Sequence, residues 1–277
     1  MLAYCPEPLP GLRRDRALTG PTDVVALSIV YVGQAAALLA TESGILVPVT
    51  TGSTCLVPGG LGVPDQAALA PVLVRWLELA DVHRAPGIDL RAWHAAATTV
   101  ELRIPAADRA VISAALVAEL DRGLPNLSSR TAGFVLGERA EELTRLALQP
   151  PSGELGACVA ETVGAGMGTT PAGDDVICGV LAGLDLLGFG DAHQRLGAAV
   201  APRLSCTTRS SRHLLAAAAA GRYTERLIGL AAALASGRSV RAALDALARW
   251  GASSGLDQAI GFAAAIRAGA PVGVGAR

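Results

Sequence analysis

Hydrophobic and polar positions follow two different rules along this chain, and the change comes near residue 105. Before it, short runs rich in Val, Ile, Leu and Thr are bounded by Gly, Pro and Ser. These are VVALSIVYV (24–32), ALLA (37–40), ILVPVTT (45–51) after a Glu-Ser-Gly turn at 42–44, and TCLVP ahead of Gly59-Gly60. Such runs predict the strands of a small sheet. One helix interrupts them, with Asp65 as cap, Pro71 in its first turn and VLVRWLELADVH behind. TTVELRIP (98–105) reads as a further strand closed by Pro105.

After residue 105 the spacing is helical almost throughout. Asp108 can cap RAVISAALVAELDRG, and a loop rich in Pro, Asn and Ser occupies 124–133. GERAEELTRLALQ then runs to the stop at Pro150-Pro151, and a short apolar helix opens at Ser152 and reaches about Thr162. A glycine-rich turn leads into a helix from Asp174 to about Leu187. Further helices are predicted over 191–204, 210–220, 222–236, 239–250 and 255–268. The expected class is α+β: a small β-rich N-terminal part (1–105) packed on a mainly α-helical C-terminal part (106–277).

Composition narrows the function. The 277 residues are 51% hydrophobic but only 3% aromatic, so the apolar half is built from small side chains that let helices approach closely. With 23 basic against 24 acidic residues there is no basic field for nucleic acid, and three Phe and three Tyr cannot build base-stacking platforms. Every basic residue is Arg; the chain has no lysine, which excludes Schiff-base and PLP chemistry, biotin or lipoyl attachment and the Walker phosphate lysine. Val24 to Ala40, the longest apolar stretch, is broken by Ser28, Gly33 and Gln34 and falls short of a membrane span. The N-terminal twenty residues lack the basic start and apolar centre of a signal peptide. Cysteines at 5, 55, 158, 178 and 206 have no CxxC spacing, and the four histidines (83, 94, 193, 213) no HxxxH or HxH pair. A reduced, cytoplasmic protein is expected, with no nucleic-acid or membrane partner.

Within the apolar helical half, polar residues gather at three helix entries. The first is GAGMGTTPAGDD (164–175), where Gly164, Gly166 and Gly168 at alternate positions permit positive φ and close backbone approach, and Gly173 follows Pro171. Asp174 and Asp175 then open the next helix. As helix caps their loss would cost about 1–2 kcal/mol, yet two adjacent Asp behind such a loop exceed what a cap requires. The second is Thr207-Thr208-Arg209-Ser210-Ser211-Arg212-His213 ahead of LLAAAAAG. Hydroxyls, free N–H groups and guanidinium groups there suit an anion, against the plainer reading of a hydroxyl cap with solvated Arg. The third is Gly251-Ala252-Ser253-Ser254-Gly255-Leu256-Asp257. The three entries are expected to converge at one end of a helical bundle around a small anionic or amide-bearing ligand. Neither a P-loop nor a Rossmann fingerprint fits at 164–175.

These residues carry a resemblance. GMGTTPAGDDVICGVLAGL (166–184) is similar to the GxGLTPxGDDxLxGxLxAL signature of the uncharacterised-domain family that includes the AllH-type subunit of oxamate carbamoyltransferase. TTRSSRHLLAAAAAGRYTERLIGLAAAL (207–234) resembles its second block and WGASSGLDQAIGFAAAI (250–266) its third; Val25 to Val30 resembles an N-terminal strand more weakly. The resemblance implies a subunit of an enzyme of allantoin-type nitrogen catabolism that moves a carbamoyl group between oxalurate and phosphate. The chain departs from the pattern in three places: Ala252 stands where the family usually has His, the usual N-terminal His is Ala26 or absent, and Thr169 stands where it has Leu.

Asp174, Asp175 and Arg209 are the candidate catalytic residues. Gly166, Gly168, Thr169, Thr170, Gly173, Thr208, Ser210, Arg212, Ser253, Ser254, Gly255 and Asp257 are the candidate substrate- and anion-binding residues. Mg2+ on Asp174 and Asp175 is the one cofactor considered. Expected partners are a small anionic or amide-bearing substrate, other transferase subunits and further copies in an oligomer. Two alternatives stay open: a non-catalytic ligand- or partner-binding subunit, and a paralogous hydrolase or cyclase of small amide metabolites. His213 is the one acid/base candidate, and Cys178 and Cys206 are expected to serve packing.

Overall fold

The computed structural model describes residues 134–236 and 239–269 continuously. Ahead of them it describes 13–15, 24–32, 36–41, 45–51, 56–63, 87–89, 94–96 and 130–131, with isolated helical positions at Ala67, Val111, Ile112, Ala114 and Ala118. Most of the helix expected behind Asp65, the strand expected at 98–105, and most of the Asp108 helix and the 124–133 loop lie outside the described residues. The chain divides into two compact units, Met1–Thr98 and Thr99–Arg277.

The first unit is a seven-stranded mixed sheet made of β1 (Arg13–Asp15), β2 (Val24–Val32), β3 (Ala36–Thr41), β4 (Leu46–Thr51), β5 (Leu61–Val63), β6 (Gly87–Asp89) and β7 (His94–Ala96), in the order β6-β2-β3-β4-β5-β1-β7. β2, β3 and β4 form an antiparallel meander, whereas β4 pairs with β5 and β1 with β7 in parallel. The meander turn between β3 and β4 is tied at its base: the Thr41 N–H donates to the Ile45 carbonyl at 2.8 Å, and the Ile45 N–H to Thr41 Oγ1 at 3.1 Å. Leu39, Val47, Val49, Leu61 and Val63 are fully buried, as β-branched and aliphatic residues on a covered sheet face should be.

The second unit is helical among its described residues, apart from the two-stranded ribbon of β8 (Arg130–Thr131) and β9 (Phe134–Val135). Its helices are α1 (Leu136–Leu148), α2 (Gly153–Thr162), α3 (Ala172–Leu186), α4 (Gly190–Val200), α5 (Arg209–Ala219), α6 (Glu225–Ser236), α7 (Val240–Ala248) and α8 (Ser254–Ala268), with a 3-10 turn at Ala201–Cys206 between α4 and α5. The protein is α+β, as its patterning predicts. No helix among the described residues is long and apolar enough to cross a membrane.

Two helices form the centre. α3 and α8 are buried on nearly every side, and glycines let their backbones touch. A Cβ on Gly179 would lie 2.0 Å from the Gln258 carbonyl oxygen, one on Gly261 2.0 Å from that of Val176, and one on Gly183 2.6 Å from Ala265 Cβ. The partners advance together along both chains, from Thr170 with Ser254 to Gly183 with Ala265, so the helices run parallel. α5 runs the same way beside α3: Ser211 meets Asp174 at its start, and just past its end Tyr223 donates to the Leu181 carbonyl at 3.3 Å. Parallel packing places three helix N-termini, with their partial positive charge, at one end of the unit.

Candidate functional site

The converged end is assembled by hydrogen bonds between segments far apart in sequence. α2 stops at Thr162, and Gly164, Gly166 and Gly168 carry the chain away with φ of 77°, 114° and 103°, values that side chains rarely adopt. The turn closes back on itself: the Ala165 N–H donates to Thr162 O at 3.0 Å and the Gly173 N–H to Ala165 O at 2.9 Å. A Cβ on Gly173 would sit 2.1 Å from the Thr162 carbonyl, so only glycine lets α3 begin here. Pro171 is the N-cap residue of α3, and Asp174 and Asp175 lie in the first turn rather than at the cap.

Asp174 is 1% exposed, and three donors converge on it. The Gly164 N–H reaches its Oδ1 at 2.8 Å, while the hydroxyls of Thr207 and Ser211, the latter at 2.6 Å, donate to Oδ2. One carboxylate therefore clasps the glycine turn to the entry of α5. Asp174 lies in the first turn of α3 without capping it, and its loss would strand three donors at once. Thr208 is the N-cap of α5, accepting from the Ser211 N–H at 3.1 Å, and its hydroxyl donates to the Thr169 carbonyl at 2.5 Å.

Asp175 is equally buried and differently treated. Its Oδ1 accepts from Gln258 Nε2 at 3.1 Å, and Thr224 Oγ1, donating to Gln258 Oε1 at 3.3 Å, orients that amide. Its Oδ2 has no partner. Burial is the main reason its carboxyl is pushed up to about 8; Asp257 adds charge repulsion, while hydrogen bonds from Gln258, Ser254 and Thr170 pull the other way. Thr170 and Ser254 hydroxyls meet at 2.7 Å, linking the first entry to the third. Asp257, 2% exposed in the first turn of α8, likewise has an unpartnered buried oxygen, Oδ2. Burial raises it as well, against a hydrogen bond from Ser253.

The three predicted entries thus meet, and the candidates separate by position. Asp174, Asp175, Asp257, Gly173 and Gly255 are buried, and Gly166, Thr170, Thr208, Ser210 and Ser254 half-buried. Gly255 is where α8 crosses the end of α7: a Cβ would lie 1.7 Å from the Leu247 carbonyl oxygen. Gly168, Thr169, Ser253 and both Arg209 and Arg212 are exposed. Arg212 Nε donates to the Leu204 carbonyl at 2.8 Å, which ties it to the 3-10 turn. Cys178 is buried and its thiol held well above its usual value by burial; Cys206 is an exposed free thiol.

Both oxygens of Asp174 accept from protein donors, and no group of three or more His, Cys, Asp or Glu that could hold a metal occurs among the described residues. Three contributors escaped the candidate assignments. Thr207 and Ser211 sit inside a segment already singled out, and Gln258 was legible as a lone amide on an otherwise apolar helix face, directly after Asp257.

This end brings together three helix N-termini, the hydroxyls of Thr170, Thr207, Thr208, Ser211 and Ser254, and the buried carboxyls of Asp174, Asp175 and Asp257. Residues 162–266 match the family model described as oxamate carbamoyltransferase subunit AllH, the family that the motifs resemble. That span contains all three entries and every residue of the site. No curated protein and no solved structure matches the chain.

Proposed function

We propose that this protein is a subunit of a carbamoyl-transfer enzyme acting on a small ureide- or oxamate-like anion. The observation that carries the reading is the convergence of three polar helix entries, knitted by Asp174, Thr208 and the Thr170–Ser254 pair, within the segment that matches the family. In this reading the carboxylate or phosphate of the ligand takes the N-terminus of α5, with its Thr208 and Ser210 side chains, and the exposed Arg209 meets its charge. Transfer moves the carbamoyl carbon from the ureide nitrogen to a phosphate oxygen: the C–N bond breaks, a C–O bond forms, and the released nitrogen takes a proton. Negative charge grows on the carbamoyl oxygen during attack, and helix N–H groups and Arg209 are suited to stabilise it.

The side chains gathered here are Asp, Ser, Thr, Gln and Arg, with His213 further along α5, and Ala252 stands where the resembled family usually has His. That supply of polar groups suits a chain that binds and orients ligand while partner subunits complete the chemistry. A calorimetric test uses the purified full chain with oxamate, inorganic phosphate and uncharged oxamide. Arg209→Ala should weaken oxamate and phosphate about tenfold, about 1.4 kcal/mol, and leave oxamide unchanged. Equal weakening of all three, or no binding of oxamate and phosphate by the unaltered chain, overturns the reading.

A further inference from the structure

Two side-chain oxygens at this end lack any partner, and they belong to different helices. Asp175 Oδ2 on α3 and Asp257 Oδ2 on α8 are both buried, in residues 1% and 2% exposed. A buried polar atom without a partner is costly, and a native site tolerates it when a ligand supplies the missing bond. The two helices are parallel and touching, with Gly179 and Gly261 at the contact, so both first turns stand side by side. The Thr170 and Ser254 hydroxyls bond each other beside Asp175, and Oδ2 itself has no partner.

The remaining oxygen of Asp175 is fixed as an acceptor, because Gln258 presents an N–H to it. A proton on Asp175 therefore belongs on Oδ2. With its carboxyl pushed up to about 8 by burial, Asp175 is mostly neutral at pH 7 and Oδ2 carries a donor. Asp257 is raised too, chiefly by burial, with a hydrogen bond from Ser253 acting the other way. The other titratable groups at this end are Asp174 and Cys178 on α3, and Arg209, Arg212 and His213 on α5. Cys178 is held well above its usual range and stays neutral throughout.

We propose that Asp175 and Asp257 form the seat of a primary amide, with Asp175 Oδ2 donating to its carbonyl oxygen and Asp257 Oδ2 accepting from its NH2. An amide edge offers one acceptor beside one donor, and this pair of carboxyls offers the complement. A carboxylate at the same place would offer two acceptors, one of them facing the acceptor oxygen of Asp257. The seat deepens the proposed function, on which it rests: it assigns the uncharged half of the ligand to α3 and α8, and leaves the anionic half to α5.

The test compares oxamate with oxalate, which replaces the amide by a second carboxylate, in calorimetric titrations of the full chain from pH 6.5 to 9.5. Oxamate affinity should fall about tenfold between pH 7 and pH 9, as a donor titrating near 8 is lost. Oxalate should bind more weakly at pH 7. Asp175→Asn keeps a neutral donor; it should hold oxamate within about threefold of the unaltered chain at pH 7 and show no fall to pH 9. A flat oxamate profile in the unaltered chain, an Asn variant that keeps the fall, or equal binding of the two anions overturns the seat while the anion site stands. Loss of both anions overturns the proposed function and the seat with it. Binding of Mg2+ alone that Asp175→Asn abolishes would make this a cation site and overturn the amide assignment.

Discussion

The first turn of α3 has two sides. On one, Asp174 accepts from Gly164, Thr207 and Ser211 and joins the glycine turn to α5. On the other, Asp175 accepts from Gln258 at Oδ1 and leaves Oδ2 without a partner beside α8, where Asp257 repeats the omission. The two residues are adjacent and equally buried, so neither sequence position nor burial distinguishes them. What differs is the supply of donors. A buried carboxylate surrounded by donors is a structural clasp, whereas one short of donors is costly unless it is protonated or meets a ligand. The contrast divides this end into a part that holds segments together and a part with buried carboxyl oxygens left without partners.

The largest expected effect tests the clasp. Asp174→Ala strands a backbone N–H and two hydroxyls, and at about 1–3 kcal/mol for each buried donor left unpaired the loss should reach about 3 kcal/mol or more. Denaturant unfolding of the purified chain measures it. A loss under about 1 kcal/mol would mean that the three donors find water on their own, and would erase the distinction between the two sides.

The open side responds to pH. Asp175 sits at about 8 in the fold against an ordinary 3.8, so below about 4 it is protonated in both states and costs nothing. Between about 4 and 8 the folded state holds a proton that the unfolded state has released, and stability falls as pH rises, by at most about 1.4 kcal/mol per pH unit. Asp257, also raised, contributes in the same direction. Asp175→Asn removes the Asp175 share, so the stability difference between variant and unaltered chain should widen in favour of the variant from pH 5 to pH 8. A constant difference across that range would show that Asp175 is ionised in the fold.

Much of this was legible beforehand because the signals were local. The boundaries of β2 and most C-terminal helices follow from runs of Val and Ile or from apolar spacing cut by Pro and Gly, and the alternate glycines at 164, 166 and 168 do adopt positive φ. The convergence of the entries was legible for a similar reason: three polar stretches in an apolar half must meet something polar. The division of labour was not. Asp174 and Asp175 have the same side chain, and only the tertiary placement of Thr207, Ser211 and Gln258 decides which one is satisfied. Those partners lie between 33 and 83 residues away in sequence. The parallel pairing of α3 with α8 was equally hidden, because Gly179 and Gly261 read as generic small residues until each is seen against the other helix's carbonyl oxygens.

The smallest effect separates the clasp from its neighbour. Thr208 caps α5 through the Ser211 N–H and holds the glycine turn through the Thr169 carbonyl, so it makes a second tie between the segments that Asp174 joins. Thr208→Ala should cost about 1 kcal/mol, the ordinary worth of an N-cap, and Thr208→Ser should restore most of it because both bonds use the hydroxyl. Combined with Asp174→Ala, the two losses should sum to more than the double variant shows: once Asp174 is gone the turn is already loosened, and the Thr169 carbonyl is no longer held where Thr208 can reach it. Coupling of about 0.5 kcal/mol or more in that cycle marks one cooperative clasp. Strict additivity would mean that the turn is fixed by its own glycines and internal hydrogen bonds, with Asp174 and Thr208 each serving only the entry of α5.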